Sequence, residues 1–541
     1  MRMSLKMWYL LFLLCITKVL SSDENPSVII IGAGSAGIAA ASKLLENGIN
    51  DVTILEAQDR IGGRVYSTKM GEYVIDMGGQ WVHGEEKNVV YEMAWPLGLL
   101  THRNGPNDGS SFFNVGFQTL ARTLGSEEDA ALMMRNTWSS VQYFGSSGER
   151  VDGEIAQDIT SYFFNITSEW PGVDDSKRES VGEYLDTKFN EYFDQHKDIP
   201  DNLKKPLMNI LHQAQMAING AEDLYQVSVK VERDYFEEGD RLINWKEKAY
   251  GTILDILMKK YPNPEEELPV MNKTLLNKKV LKIEAGVDGP VNVKTSDGNE
   301  YTADYVIFTP SLGVLKANHK SLFEPNLPPN KINAIENIGM GHVGKIYLFY
   351  DDPWWSSALD TFYRSILWFE DDKKALASDP ERRWMLSVYS VNRIEWKPKV
   401  ICLWMAGPNI KEMELLPEEL VKNQSLWLLT KFFGKLYNLT EPSDMKRTQW
   451  NSNENFLGTY SYPSLDTEKH NATVLDLAKP VMCRNCSRPA IMFAGEATAD
   501  IYGTVNGAIG SGWREAERII NSQKSIQSLK EGKKSKRFVN I

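Results

Sequence analysis

The chain has 541 residues, of which 42% are hydrophobic and 24% are charged, and its formal net charge is -12 at pH 7. A chain of this length exceeds what one hydrophobic core holds, so we expect two or more domains of ordinary globular composition. The acidic balance argues against a nucleic-acid partner and is compatible with a cationic small-molecule ligand.

The N-terminal segment has the pattern of a secretory signal peptide. Arg2 and Lys6 precede an apolar run over residues 7–17, and small residues follow it. Because the run is shorter than the roughly 20 residues that a spanning helix needs, we predict a signal peptide over residues 1–22 and no membrane span. Six N-x-S/T sequons fit a secreted glycoprotein, and they lie at Asn165, Asn272, Asn423, Asn438, Asn471 and Asn485.

The next elements predict a βαβ unit. An apolar strand at Val28 to Ile31 is followed by an alanine-rich helix and by a strand at Val52 to Leu55. Gly32, Gly34 and Gly37 form the pattern G-x-G-x-x-G between the first strand and the helix. At this spacing the glycines permit the turn, let a pyrophosphate approach the helix N-terminus, and let the helix lie close to the strand.

An acid at the end of the second strand completes the pattern. Glu56 lies about 20 residues beyond the glycines, where a carboxylate accepts hydrogen bonds from a ribose diol and repels the extra phosphate of NADP. With Ser35 at the helix start, these residues predict a dinucleotide site. The unit by itself leaves NAD and FAD both open.

A second glycine cluster follows in RIGGRVYST and DMGGQWVHG. Gly63 and Arg64 offer backbone donors and a guanidinium group, which suit a diphosphate or the face of an isoalloxazine ring. A simple nicotinamide dehydrogenase does not need such a cluster, so it favours a flavin.

The middle of the chain alternates between helical and strand-like segments. Mixed segments at Ser180 to Asp194 and Leu203 to Ile218 predict helices within an inserted lobe that lacks clear strand alternation. Later strands are predicted at Val280 to Ile283, Val291 to Lys294, Tyr305 to Phe308, Lys345 to Tyr350, Val400 to Trp404 and Ala490 to Ala494. Later helices are predicted at Glu418 to Phe433 and Gly507 to Ile520.

The C-terminal part contains a C-x-x-C pattern and a basic tail. Cys483 and Cys486 have the spacing of a small disulfide loop, which leaves Cys402 unpaired. A zinc site would need further ligands nearby, so we predict no metal. The tail at residues 521–541 has many basic and few apolar residues, and we predict that it is disordered.

Three further segments identify a family. They are VIFTPSLGVLK at Val306 to Lys316, GHVGKIYLFYDDPWW at Gly341 to Trp355, and FLGTYSY at Phe456 to Tyr462. With the opening unit, they resemble the flavin-containing amine oxidases, and most closely the polyamine and spermine oxidases. The resemblance implies FAD as the cofactor. It also implies non-covalent binding, because FLGTYSY lacks the cysteine through which monoamine oxidases attach FAD.

The resemblance implies an α/β fold in which an interrupted Rossmann-type FAD-binding domain holds an inserted α+β substrate-binding domain. The expected FAD-binding segments are residues 26–100, 226–322 and 455–520. The expected substrate-binding segments are residues 101–225 and 323–454.

The resemblance also implies the reaction and the site residues. A hydride passes from a carbon next to a secondary amine of a polyamine to flavin N5, and oxygen then gives hydrogen peroxide. Lys345 and His83 are the expected catalytic residues, and Trp81, His83, Tyr460 and Tyr502 the expected substrate-binding ones. The residues expected to bind FAD are Gly32, Gly34, Ser35, Gly37, Glu56, Gly63, Arg64, Gly79, Gln80, Trp81, Val280, Trp450, Gly495, Glu496, Thr504 and Val505.

Alternatives remain open from the sequence. His83 has the second interpretation of a packed histidine beside Trp81, and Lys345 that of an ordinary strand-surface charge. Asn506, where relatives usually carry histidine, and Gly344, directly before Lys345, depart from the family pattern and leave the preferred amine open. The alternative functions are an L-amino-acid or other amine oxidase, and a catalytically silent secreted relative.

Overall fold

The computed structural model describes residues 26–102, 141–168, 170, 179–230, 235, 239–240, 242–286, 289–355, 363–485 and 488–538. The predicted signal peptide and Cys486 lie outside the described residues. The strands are β1 (Val28–Ile31), β2 (Val52–Leu55), β3 (Ser67–Met70), β4 (Tyr73–Asp76), β5 (Trp81–Val82), β6 (Leu100–Thr101), β7 (Val141–Gly145), β8 (Ile243–Trp245), β9 (Thr274–Leu275), β10 (Val280–Ala285), β11 (Val291–Thr295), β12 (Glu300–Ala303), β13 (Tyr305–Phe308), β14 (Phe323–Glu324), β15 (Gly339–Met340), β16 (Val343–Phe349), β17 (Tyr363–Leu367), β18 (Val388–Ile394), β19 (Lys397–Ala406), β20 (Asp444–Arg447), β21 (Ser461–Tyr462), β22 (Val481–Met482) and β23 (Pro489–Phe493).

The described α-helices are α1 (Ser35–Glu46), α2 (Val89–Ala94), α3 (Gly153–Ser168), α4 (Val181–Gln195), α5 (Asp201–Asn219), α6 (Thr252–Leu257), α7 (Leu312–Leu322), α8 (Pro329–Asn337), α9 (Glu370–Ala377), α10 (Ile410–Leu415), α11 (Glu418–Phe433), α12 (Leu465–Lys469), α13 (Val474–Ala478) and α14 (Val505–Phe538). Short 3₁₀ turns connect several of these elements.

The first six-stranded sheet is mainly parallel and has the order β22-β23-β13-β1-β2-β9. Strand β1 pairs in parallel with β13 and β2, and all four of its residues are buried, which is typical of a central strand in a parallel sheet. Each of the three segments assigned to the FAD-binding domain contributes strands to this sheet. Helix α14 crosses α1 at backbone contact, because a Cβ on Gly512 would lie 2.2 Å from the Ala36 carbonyl oxygen.

The second six-stranded sheet has the order β20-β16-β19-β18-β17-β7. Its strands come from residues 141–145 and 343–447, and all pairs are antiparallel except β7 with β17. Strand β16 is buried along its whole length. The sequence analysis predicted no strand at β7, and the structure corrects this. The five residues of β7 carry too short a pattern to distinguish them, and their parallel partner β17 lies over 200 residues away.

Helices α3, α4 and α5 pack beside the second sheet around a core that includes Phe163, Phe189 and Leu211. Helix α4 begins with a capping box in which Ser180 and Glu183 satisfy each other's backbone N–H groups. The predicted helices at Ser180 to Asp194 and Leu203 to Ile218 correspond to α4 and α5.

Two features of the C-terminal part bear on the sequence predictions. The structure continues α14 to Phe538, so most of the tail predicted to be disordered is helical. The first turns of a helix are the unfavourable step in its formation. The packed N-terminal part of α14 provides these turns, and the Lys-, Gln- and Ser-rich tail extends the same helix. Cys483 is disulfide-bonded, while Cys402 is a buried free cysteine. Within the described part of the chain, no helix combines the length and the apolar character that crossing a membrane requires.

Candidate active site

A cavity of about 1380 Å³ extends from the carboxyl ends of β1, β2 and β13 to one face of the second sheet. Gly32, Glu56 and Thr309 lie at the first end, and Lys345 and Trp404 lie on the sheet face. Every residue that the sequence analysis assigned to the site lines this cavity except Gly37. The structure therefore brings the predicted residues together around one cavity, although they come from both ends and the middle of the chain.

The glycine turn after β1 is shaped by close backbone contacts. Gly32 has a φ of +98°, and a Cβ there would lie 2.5 Å from Oγ1 of Thr309. A Cβ on Gly37 would lie 2.0 Å from the Gly32 carbonyl oxygen, so Gly37 packs the helix on the turn rather than lining the cavity. Gly34 is the N-cap of α1 and caps it with no side-chain hydrogen bond. The backbone N–H groups of the first turn of α1, and the open space beside Gly34, suit a phosphate group.

Glu56 is held at the end of β2 by two backbone donors. Its Oε2 accepts from the Ala33 N–H at 2.7 Å, and its Oε1 accepts from the Gln58 N–H at 2.8 Å. Burial raises the pKa of Glu56, and these backbone hydrogen bonds oppose the rise. The carboxylate is thereby oriented on the cavity wall, where its remaining acceptor capacity suits a ribose diol.

Arg64 and Glu496 form an ion pair between distant parts of the chain. Nη1 of Arg64 donates to Oε1 of Glu496 at 2.9 Å and to the carbonyl oxygen of Thr459 at 2.6 Å. Oε2 of Glu496 accepts from the Ser461 hydroxyl at 2.7 Å and from the Gly503 N–H at 2.9 Å. These contacts fix the part of the cavity wall where the end of β23 meets the segment Phe456 to Tyr462.

Lys345 lies on β16 with its ammonium group enclosed by oxygen atoms. Its Nζ donates to the carbonyl oxygens of Asp76 and Gly78, at 3.2 and 2.8 Å, and to Oε1 of Gln80 at 3.0 Å. The Trp404 ring centre lies 4.6 Å from Nζ, and the residue is 6% exposed. Burial lowers the pKa of Lys345 to about 8. An ordinary strand-surface lysine would not have this environment, so that interpretation is excluded.

Asp76 organises the backbone that binds Lys345. Its Oδ1 accepts from the Ser67 hydroxyl at 2.6 Å and from the Tyr250 N–H at 3.1 Å, and burial raises its pKa to about 6. Its carbonyl oxygen accepts from the Tyr347 hydroxyl at 2.6 Å as well as from Lys345. The Lys345 ammonium is therefore fixed by a network anchored on β4.

Aromatic side chains form the walls near Lys345. Trp81 stacks on Trp404 with ring centres 5.2 Å apart. The Tyr460 hydroxyl donates to the Ala217 carbonyl oxygen at 2.5 Å, and Tyr502 packs against Tyr235 with ring centres 4.8 Å apart. Such rings provide faces that attract an alkylammonium group.

The structure also places the residues whose roles the sequence left open. His83 lines the cavity as a half-buried side chain, and its carbonyl oxygen accepts from Nδ2 of Asn88 at 2.6 Å. Asn506 lies off the cavity wall, where its Oδ1 accepts from the Val89 N–H at 3.0 Å. A Cβ on Gly344 would lie 2.8 Å from Ile410 Cγ2, so this glycine lets α10 pack on β16. Both departures from the family pattern therefore have packing roles.

The remaining residues that the sequence analysis expected to bind FAD also lie along this wall. Nε1 of Trp450 donates to the Met77 carbonyl oxygen at 3.0 Å. Thr504 caps the start of α14 by accepting from the Gly507 N–H at 2.9 Å. Ser35, Gly63, Gly79, Gln80, Val280, Gly495 and Val505 also line the cavity.

Sequence reasoning missed three residues with clear roles. Thr309 follows β13, and its hydroxyl donates to the Ile31 carbonyl oxygen at 2.8 Å, which joins the glycine turn to the neighbouring strand. Trp404 and Tyr347 contact Trp81 and Asp76 across the fold. Thr309 and Tyr347 lie within two of the segments that carry the family resemblance, but no local pattern shows the contacts of these three residues, since each partner lies more than 200 positions away.

Comparison with known proteins gives a consistent result. The family model described as flavin containing amine oxidoreductase matches residues 35–520. The peroxisomal N(1)-acetyl-spermine/spermidine oxidases of Bos taurus and Homo sapiens are each 27% identical to the chain, over 92% of this chain and 95% of theirs. The structure of cyclohexylamine oxidase from Brevibacterium oxydans IH-35A has a TM-score of 0.62 at 19% identity and covers 93% of this chain and 100% of its own. This last similarity concerns the fold.

Proposed function

The chain belongs to the flavin-containing amine oxidoreductase family and uses FAD, and on this basis we propose that it is a secreted oxidase of polyamines. One observation carries the proposal. A buried lysine with its pKa lowered to about 8 lies on the wall where the dinucleotide end of the cavity meets an aromatic chamber.

The residues of the first sheet and its turns fit FAD. The N-terminus of α1 beside Gly34 would hold the pyrophosphate, and Glu56 the adenosine ribose. The Arg64–Glu496 pair and the start of α14 would hold the flavin end, since polar groups there suit ribitol hydroxyls and ring carbonyls.

The chemistry that FAD supplies when bound is the acceptance of a hydride from the carbon next to the amine nitrogen and the return of both electrons to oxygen. The net reaction consumes the amine, one molecule of O2 and one molecule of water, and it yields an aldehyde, a shorter amine and hydrogen peroxide. The chain's own residues must therefore bind a neutral amine, orient its carbon, and later admit one water to the imine.

The aromatic walls serve the first two tasks. Trp81, Trp404 and Tyr460 enclose an alkyl chain and exclude bulk water from it. His83 is a hydrogen-bond partner for the amine and a base that keeps it neutral. The Lys345 ammonium serves the last task. Its three N–H donors are directed at the Asp76 and Gly78 carbonyl oxygens and at Oε1 of Gln80, so a water is held near the reacting atoms when it replaces the Gln80 side chain as the third acceptor.

Amino-acid oxidation is the rival enzyme activity. It needs an arginine that binds the substrate carboxylate. Among the described residues of the cavity wall, Arg64 is the single arginine, and it is bound to Glu496 and Thr459. The site therefore favours an amine without a carboxylate.

The activity is tested with the purified FAD-loaded protein, spermine and oxygen. We expect equal amounts of hydrogen peroxide and aldehyde, and no product with an L-amino acid. Peroxide formed only with L-amino acids would support the rival enzyme, and no peroxide with any amine would support the catalytically silent relative.

Secretion has two supports. The segment 1–22 has the signal-peptide pattern, and Cys483 is disulfide-bonded, a state that persists in oxidising compartments. Expression in cultured eukaryotic cells should give protein in the medium that begins near Ser22 and shifts in mass on deglycosylation. Protein retained in the cytosol with Met1 intact would contradict secretion.

A further inference from the structure

The three acceptors of the Lys345 ammonium differ in their freedom to move. Two of them are backbone carbonyl oxygens, those of Asp76 and Gly78. Asp76 ends β4, which is paired with β3, and a Cβ on Gly78 would lie 1.7 Å from the Arg64 carbonyl oxygen, so this backbone is closely packed. The third acceptor is Oε1 of Gln80, at the end of a flexible side chain. Gln80 can therefore leave the ammonium while the backbone stays in place.

Gln80 contacts both the Lys345 ammonium and the open part of the cavity. Lys345 is 6% exposed, whereas Gln80 is half-buried and lines the cavity. The next residue, Trp81, belongs to the aromatic wall of the chamber that we propose for the amine. Space that the Gln80 side chain leaves therefore opens toward this chamber, and a small molecule can enter it from there.

The ammonium needs an acceptor for each of its three N–H groups. Because it only donates, a buried N–H group left without an acceptor would keep the full penalty of losing its water. When Gln80 turns away, a water molecule that takes the place of Oε1 removes this penalty, since one acceptor replaces another. The two arrangements, with Gln80 or with water, therefore differ little in free energy.

On the basis of the proposed function, we infer that Gln80 is a positioning residue whose amide oxygen and the water that hydrolyses the imine bind in turn to the third N–H group of Lys345. With Gln80 in place, the ammonium offers this water no donor. With Gln80 turned away, the ammonium holds the water. In the hydrolysis the water oxygen forms the new bond to carbon, the bond from carbon to nitrogen breaks, and both hydrogens of the water end on the departing amine. Gln80 thus controls when water reaches the imine.

Crystal structures of the FAD-loaded protein test this exchange without turnover. Gln80→Ala removes the amide and keeps the backbone. We expect an ordered water about 2.7–3.2 Å from Nζ of Lys345, at the position that Oε1 of Gln80 occupies in the wild type. A vacated position without water, or a Lys345 ammonium turned to another protein acceptor, would overturn the exchange whether or not the protein oxidises amines. Gln80→Ser gives the same information if Gln80→Ala loses its flavin.

Gln80→Glu tests the exchange in solution, because it replaces the amide by a carboxylate of similar size. The ionised carboxylate binds the ammonium more strongly than the amide does, so water replaces it less readily. In a single turnover with an amine that reduces the flavin, we expect aldehyde release to slow by about fivefold or more, since charge-assisted hydrogen bonds are roughly twice as strong as neutral ones. Gln80→Ala should release aldehyde at least as fast as the wild type, because the water no longer competes with the amide.

The pH profile of aldehyde release distinguishes this role from a purely structural one. Gln80→Glu adds a negative charge in direct contact with the Lys345 ammonium, so the inflection of the profile should move to higher pH. Gln80→Ala adds no charge and should leave the inflection near its wild-type position. The other titratable groups around this ammonium are the same in every variant, namely Asp76, Tyr347, Glu395 and Cys402.

Gln226→Glu is the matched control, because it makes the same change at an exposed residue outside the cavity wall. Its aldehyde release and its inflection should equal those of the wild type, and bound flavin should be measured for every variant. Release that slows to a similar extent in Gln80→Ala and Gln80→Glu, or an unchanged inflection in Gln80→Glu, would contradict the exchange and leave amine oxidation intact. A wild type that oxidises no amine would instead contradict the proposed function, and the crystal structures would still decide the exchange.

Discussion

Lys345 is the residue on which the proposed chemistry depends most. Three oxygen acceptors and the Trp404 ring surround its ammonium group, so its position is fixed before any ligand binds. Lys345→Met keeps the chain length and removes the charge. We expect this variant to bind FAD and to lose about tenfold or more in flavin reduction or reoxidation, because a lost catalytic contact of a few kcal/mol has that scale. Stopped-flow measurement of the two half-reactions checks this.

Lys399→Met is the matched control for that variant. Lys399 lies on the adjacent strand β19, where it pairs with Glu72 at the surface. We expect both half-reactions to keep their wild-type rates and the stability to change by less than about 0.5 kcal/mol. Equal rates in Lys345→Met and the wild type would remove Lys345 from the reaction.

The lowered pKa of Lys345 also predicts a pH dependence. The ammonium is charged below a pH of about 8 and neutral above it, so the half-reaction that uses the charge should slow as the pH rises through about 8. The ordinary lysine pKa of 10.5 is higher, so the unfolded chain binds more protons between these values, and folding stability from this group should increase as the pH rises from 8. A half-reaction rate that shows no inflection near 8, or that keeps its inflection in Lys345→Met, would contradict this assignment.

At the scale of elements, the crossing of α14 over α1 gives a sharp test of packing. Gly512 and Gly510 lie two residues apart on α14, but a Cβ on Gly512 would lie 2.2 Å from the Ala36 carbonyl oxygen, whereas one on Gly510 would meet nothing within 4 Å. Gly512→Ala should lower the free energy of unfolding by about 1–3 kcal/mol and weaken FAD retention, because the helices must separate. Gly510→Ala should raise it by up to about 1 kcal/mol through helix propensity.

Urea unfolding of both variants, with bound flavin measured in each, decides this point. Equal stabilities for the two would show that the helices do not cross at backbone contact.

The sequence predicted elements well where their pattern was long and local. Helix α11 has the predicted bounds of Glu418 to Phe433, and β16 and β19 contain the predicted strands at nearly their full length. Strand β7 was missed, and the tail after residue 520 was wrongly predicted as disordered. In both cases the state depends on a partner or on a preceding packed helix, which no short window of sequence contains.

The site residues also separate into those that a local pattern predicts and those that depend on distant contacts. The glycine turn and Glu56 were predicted from the residues themselves, because a βαβ unit fixes their relative positions over a short span. Lys345, His83 and Tyr460 came from the resemblance. Thr309 and Trp404 were not found, since their contacts exist only after distant strands pair.

At the scale of the whole molecule, the two sheets line different parts of one cavity, which we propose as its cofactor end and its substrate end. Of the cysteines, Cys402 is 0% exposed and does not line the cavity, and Phe456 to Tyr462 contains none. We therefore expect acid or heat denaturation to release all the FAD into the supernatant. Flavin that stays with the precipitated chain would demonstrate a covalent link.

The central claim is that this cavity brings an amine to FAD for oxidation. The most direct measurement is the visible flavin absorbance of the purified protein when spermine, free or acetylated at one terminal nitrogen, is added without oxygen. We expect the absorbance to bleach with at least one of these amines and to return when oxygen is admitted, with release of hydrogen peroxide. A flavin spectrum that stays unchanged with both amines would contradict oxidation of an amine in this cavity.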